Sequence, residues 1–166
     1  MRPPLGVIPH NLSSESMTSN TRAANALLKR ELLGAAVESF GLTHQFLYIE
    51  FRDDTPEDHM LSIDTEIFSN DLDFDSSSLS DDERALVLFN RVNLKRITGI
   101  QCDDAGTLTI EFDNGRSLVF SGTPTDETCV EPWQIGKSNP AESQNHYLVI
   151  VNHSGGYTIW NGESAT

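Results

Sequence analysis

One strand-like run occurs twice in this chain, and it restricts the possible folds more than any other feature. Leu47-Tyr48-Ile49-Glu50-Phe51 and Leu108-Thr109-Ile110-Glu111-Phe112 carry an apolar residue at every second position and close on the same Glu-Phe pair. Side chains alternate between the two faces of a β-strand, so each run turns three apolar residues toward a core and the others away from it. The correspondence continues on both sides. Val37 and Phe40 match Ile97 and Ile100, sixty positions on, and Leu61-Ser62-Ile63 matches Leu118-Val119-Phe120. Each set reads as a three-stranded antiparallel meander, over residues 35–68 and 95–121, and the pair as an internal duplication. Leu47, Ile49, Phe51, Leu108, Ile110 and Phe112 are expected in the core.

The remaining segments complete an α+β fold. In the first meander Met60 to Phe68 is read as the third strand. In the second, Asp103-Asp104-Ala105-Gly106 and Asp113-Asn114-Gly115 are turn sequences between short strands. Ala23, Ala24, Ala26, Leu27, Leu28, Leu32 and Leu33 predict a helix capped by Asn20 or Thr21 and stopped at Gly34. A second short helix follows the capping box Ser80-Asp81-Asp82-Glu83. His146 to Val151 and Tyr157 to Trp160 predict a closing hairpin. The expected architecture is mainly antiparallel β-sheet: two repeated meanders, a C-terminal hairpin and two short helices. Residues 1–19, with three prolines and no periodic apolar face, are expected to be a flexible tail, and residues 20–166 a single domain.

Charge narrows the function. The 166 residues hold 25 Asp and Glu against 11 Lys and Arg, a formal net charge of −14, which opposes binding to nucleic acid and permits a basic protein partner. No apolar run is long enough to span a membrane and the first residues lack a secretory core, so a cytoplasmic location is expected. Cys102 and Cys129 form no CxxC motif and are read as reduced thiols.

From Asp53 to Glu83 there are twelve acidic residues and no Lys or Arg, and this is where a partner-binding surface is expected. The candidates are Asp53, Asp54, Glu57, Asp58, Asp71, Asp73, Asp75, Asp81 and Asp82; the alternative is a solvated acidic loop. Asp71-Leu72-Asp73-Phe74-Asp75 begins like a calcium loop, but Ser76 stands where Gly is needed and Asp82 where a bidentate Glu is needed. No metal, cofactor or catalytic residue is assigned. The histidines follow no ligand spacing, and no HExxH, GxSxG or phosphate-loop pattern is present. Trp133, in Glu131-Pro132-Trp133, is read as a core anchor or an interface residue, and is carried as a tenth partner-binding candidate.

The sequence from Leu108 through the Asp113-Asn114-Gly115 turn to Phe120, followed by Glu131-Pro132-Trp133-Gln134-Ile135, resembles small bacterial β-rich immunity proteins of polymorphic toxin systems, of the type VI and contact-dependent kinds. The resemblance covers residues 94–160 and leaves the N-terminal part and the acidic stretch unexplained. It implies a cytoplasmic, non-catalytic protein that binds a cognate toxin domain and occludes its active site. A toxin with a basic cleft would suit the acidic stretch. The alternative expectation is a non-catalytic β-rich binding module of a larger assembly.

Overall fold

The computed structural model describes residues 17–71, 74–138 and 146–162. Their order is α1 (Ser19–Leu32), β1 (Ala36–Thr43), β2 (Phe46–Arg52), β3 (Asp58–Ile63), β4 (Ile67–Ser69), α2 (Asp81–Arg91), β5 (Ile97–Cys102), β6 (Leu108–Phe112), β7 (Ser117–Phe120), β8 (Trp133–Lys137), β9 (Tyr147–Val151) and β10 (Tyr157–Asn161). The fold is α+β and mainly antiparallel β, with strands in the orders β1-β2-β3-β8-β9-β10 and β4-β7-β6-β5. All six side chains expected in the core are buried, in one apolar cluster that draws on both sheets and both helices.

The two meanders share order, register and a local irregularity. Leu47 pairs with Ile63 and Ile49 with Leu61, as Leu108 pairs with Phe120 and Ile110 with Leu118. The register slips between Val37 and Ser39 in β1 and between Ile97 and Gly99 in β5, so the bulge recurs at the matching position.

The halves are joined by reciprocal contacts. Ala36 bridges to Arg96, its own repeat equivalent, in an antiparallel sense. Around that bridge Gly34 N–H donates to Ile97 O at 2.9 Å and Leu94 N–H to Val37 O at 3.0 Å, while Ile97 N–H donates to Ala35 O at 2.8 Å and Val37 N–H to Lys95 O at 3.0 Å. Each bond is the image of another under exchange of the halves, which defines a local pseudo-two-fold axis. The helices cross over as well, α1 packing on β5 and α2 on β1.

Met60 to Phe68 is not one strand. β3 stops at Ile63, because the Asp64 carboxylate turns to accept from the N–H groups of Cys129 at 2.7 Å and Val130 at 3.1 Å. The chain then enters the other sheet as β4, where Ile67 pairs with Phe120. β8, a strand absent from the sequence reading, makes the opposite crossing, and Trp133 pairs with Ile63. Since Ile63 and Phe120 are equivalent, each half lends its fourth strand to the other half's sheet. Flanking bonds repeat the exchange: Asp64 N–H donates to Pro132 O at 2.9 Å and Ser121 N–H to Glu66 O at 3.0 Å.

The helices start and stop for local reasons. α1 is capped by Thr18, whose hydroxyl accepts from Thr21 N–H at 3.1 Å, rather than by Asn20 or Thr21. Thr21 is buried and donates its hydroxyl to Asp104 at 2.6 Å. Met17 to Ser19 therefore belong to the folded unit, and the rest of the expected tail, residues 1–16, lies outside the described residues. α2 carries the expected capping box between Ser80 and Glu83.

Gly34 and Leu94, equivalent positions after the two helices, both adopt positive φ, at +85° and +62°. A side chain in this region costs about 1–2 kcal/mol, and Leu94 is 68% exposed, so its side chain returns little packing. We expect substitutions at these positions to have opposite signs. Gly34→Ala should lower stability by about 1 kcal/mol, since an added Cβ meets nothing within 4 Å and only backbone strain acts. Leu94→Gly should leave stability equal or raise it by up to about 1 kcal/mol, the strain relieved being partly offset by glycine's unfolded-state entropy. Urea unfolding midpoints would decide this, and equal losses from both changes would contradict the equivalence.

Candidate functional site

The fold divides the acidic stretch instead of presenting it as one surface. Asp53, Asp54, Glu57 and Asp58 cluster around the β2–β3 turn, where Arg52 pairs with Asp58 at 3.1 Å and Lys137 with Glu57 at 3.2 Å. Asp64 and Glu66 follow the other end of β3, a strand of six residues and so about 20 Å long. Asp71 is buried against Arg116, with Arg91 at 3.7 Å, an ion pair that fixes the chain after β4 and takes Asp71 off any contact surface. Asp75 is exposed and accepts from Ser77 N–H at 2.9 Å in a local turn. Asp73 lies outside the described residues.

Asp81 and Asp82 meet acids from elsewhere. They stand exposed in the first turn of α2, on the rim of a cleft of about 540 Å³ that is also lined by Asp64, Glu66, Asp126 and Glu127. The β1–β2 turn adds Gln45 to the lining and the start of β2 adds Leu47, while its acids come from three segments: the β3–β4 turn, the start of α2 and the β7–β8 connection. Asp64 holds the last of these in place through its bonds to Cys129 and Val130, and the Thr128 hydroxyl donates to Asp64 O at 3.2 Å. Leu47, Ile63, Ile67 and Ala85 form an apolar floor, Phe68 is half exposed at one side, and Arg84 is the one Lys or Arg in the lining. Thr65 also lines the cleft, and its hydroxyl oxygen is buried with no hydrogen-bond partner among the described residues. Asp126 and Glu127 escaped the sequence reading because they lie outside the acidic stretch. Their Thr-Asp-Glu-Thr turn is an acidic signal, but the strand exchange that brings it to α2 is not visible in the sequence.

Trp133 is a correction. It is fully buried, donates its indole N–H to Gly106 O at 2.8 Å and packs beside Tyr157 with ring centroids 5.7 Å apart, so it is a core anchor with no surface to offer a partner.

Asp53 belongs to a second polar group, on the inner face of the six-stranded sheet. His59 is fully buried, with Nε2 at 2.8 Å from Asp53 and Nδ1 at 2.8 Å from the hydroxyl of Tyr147. An Asp-His-Tyr chain has the look of catalytic machinery, but His59 exposes no surface to a substrate. A neutral imidazole satisfies the whole chain, the tyrosine O–H donating to Nδ1 and Nε2–H donating to the carboxylate. Burial pushes the Asp53 carboxyl up, yet hydrogen bonds from the Thr55 hydroxyl, His59 and the Thr55 N–H outweigh it and hold the pKa down to about 2.

Two outcomes follow for this group. Tyr147→Phe should cost about 1–3 kcal/mol, because the buried Nδ1 loses its donor, and denaturant unfolding at neutral pH would read it. A carboxyl lowered on folding contributes stability that is complete above its unfolded value, near 3.8, and is lost as pH falls through the folded value, near 2. The stability gap between the natural chain and Asp53→Asn should therefore close between about pH 4 and pH 2, and a gap independent of pH in that window would contradict the assignment.

Both cysteines are free; Cys102 is buried, which pushes its thiol up to about 11, and Cys129 is exposed. Among the described residues no helix is long and apolar enough to cross a membrane. No protein-family model, curated protein or solved structure matches the chain.

Proposed function

We propose that this chain is a non-catalytic binding protein that captures a basic partner protein through the cleft between α2, the β3–β4 turn and the β7–β8 connection. The observation that carries this reading is the convergence of carboxylates from three separate segments on one cavity with an apolar floor. Like charges so close together repel one another, and a cationic partner relieves the repulsion while the floor takes up apolar side chains. The resemblance of residues 94–160 to immunity proteins makes a toxin domain with a basic active-site cleft the proposed partner, bound so that its active site is occluded. The first-turn acids also favour the positive end of the α2 dipole, which accounts for part of the charge. That dipole accounts for neither Asp126 nor Glu127, which come from another segment.

Exposed charges at such a rim act mainly on the rate of association. Asp82→Lys combined with Asp126→Lys should slow association with the basic partner by about tenfold or more at low salt and flatten its salt dependence. Replacing the acids of the β2–β3 turn, Asp54→Lys with Glu57→Lys, should have much less effect. Stopped-flow association with the toxin domain encoded beside the gene, at low and high salt, checks both. Equal effects from the two pairs would place binding outside the cleft. Failure of any neighbouring gene product to bind, and of this chain to protect cells expressing it, would overturn the immunity reading.

A further inference from the structure

The halves of the chain differ in what covers their exchanged fourth strands. Beyond β8 the sheet continues with β9, Ile135 standing opposite Val149. Beyond β4 no strand follows among the described residues. Ladder alternation shows which backbone groups this edge presents. Ser121 N–H donates to Glu66 O, so Glu66 and Phe68 turn their backbone groups to β7, and Ile67 and Ser69 turn theirs outward. Ser69 holds the position that Ile135 holds in β8.

The space beside the two strands differs in the same way. On the β8 side the closing hairpin fills it: Tyr157 donates its hydroxyl to Asp103 O at 2.5 Å and packs on Trp133, and Val151 lies so close to Gly106 that an added Cβ there would come within 2.7 Å of it. On the β4 side the matching space is the acidic cleft, which no described hairpin fills.

We propose that β4 and the cleft take up one extended segment of the basic partner, added antiparallel to the outer edge of β4 in the place that β9 occupies on β8. This rests on the reading that the cleft binds a basic protein, and it specifies how. Backbone pairing with Ile67 and Ser69 supplies the register, the apolar face of the added strand lies over the cleft floor, and the long basic side chains of its other face reach the exposed acids at the rim. The chemistry of the occupant follows from the surroundings: apolar residues for the floor, alternating with Lys or Arg that meet Glu66, Asp81, Asp82 and Glu127. A second copy of this chain, with its net charge of −14, would bring like charge to that rim.

The test uses the full chain and a short dye-labelled peptide of alternating Lys and Val, followed by fluorescence anisotropy. Two further peptides carry N-methyl groups on every second amide, in one register or the other, which removes strand donors from one edge while keeping charge. We expect the plain peptide to bind, one of the methylated registers to bind at least about tenfold more weakly, and Ser69→Pro to reproduce that loss. Proline at an outward position removes an edge donor without breaking the β4–β7 ladder. Thermal melting of Ser69→Pro guards against simple unfolding, because the Ser69 hydroxyl also donates to Ser117 O at 2.9 Å. If both methylated peptides bind as tightly as the plain one and only Asp82→Lys with Asp126→Lys weakens them, strand addition is overturned and the acidic-cleft reading stands. If the plain peptide does not bind, or binds equally well to the charge-reversed chain, both readings fail. Concentration-dependent dimerisation abolished by Ser69→Pro would assign the edge to a second copy and overturn the proposal.

Discussion

The architecture depends on the antiparallel meeting of β1 and β5 at Ala36 and Arg96. Four backbone hydrogen bonds surround that bridge, and each has an equivalent in the other half. With the first strands locked in this way, each helix lies over the other half's first strand and each fourth strand reaches the other half's third. Neither meander then completes a four-stranded sheet from its own residues. The apolar cluster is continuous for the same reason: Ile67 pairs with Phe120 of the second meander and Trp133 with Ile63 of the first, and both are buried in it.

A symmetric exchange with an asymmetric ending makes the two halves structurally unequal. The chain continues past β8 into a hairpin, and that hairpin closes the groove beside α1: Asn20 both donates to Tyr157 O at 3.0 Å and accepts from Tyr157 N–H at 2.7 Å. Among the described residues the groove beside α2 receives no such hairpin, and it is lined with carboxylates. Apolar floor, acidic rim and a strand edge unpaired among the described residues thus occur together at one place. Other acids are engaged within the fold, as the buried Asp71 is by Arg116 and the partly exposed Asp53 by its hydrogen bonds to Thr55 and His59. In the cleft Asp64 is engaged by the backbone of Cys129 and Val130, whereas Glu66, Asp81, Asp82, Asp126 and Glu127 are exposed.

The strands of both meanders were legible because their faces differ, and strict alternation in Leu47 to Phe51 and Leu108 to Phe112 expresses that difference directly. β8 was not legible: Trp133, Ile135 and Gly136 are all buried, so the period of two is broken, and β4 has only three residues. The strand exchange was invisible because its pairings, Ile63 with Trp133 and Ile67 with Phe120, join positions far apart in sequence. That is also why the acidic stretch misled in part. Asp81 and Asp82 reach the cleft, whereas Asp71 is drawn inside by two arginines that follow it in the chain, and Asp126 and Glu127 arrive from a segment outside the stretch. Charge density along the chain found the sign of the surface but not its membership.

Amide hydrogen exchange on the free protein tests the open edge most directly. Ser69 and Ile135 occupy equivalent positions, one on a strand edge that no described strand covers and the other against β9. The account predicts that the Ser69 amide exchanges orders of magnitude faster than the Ile135 amide, and that a bound basic partner slows Ser69 selectively. Equal, strong protection of both amides in the free chain would mean that the edge of β4 is already covered, and would contradict the account.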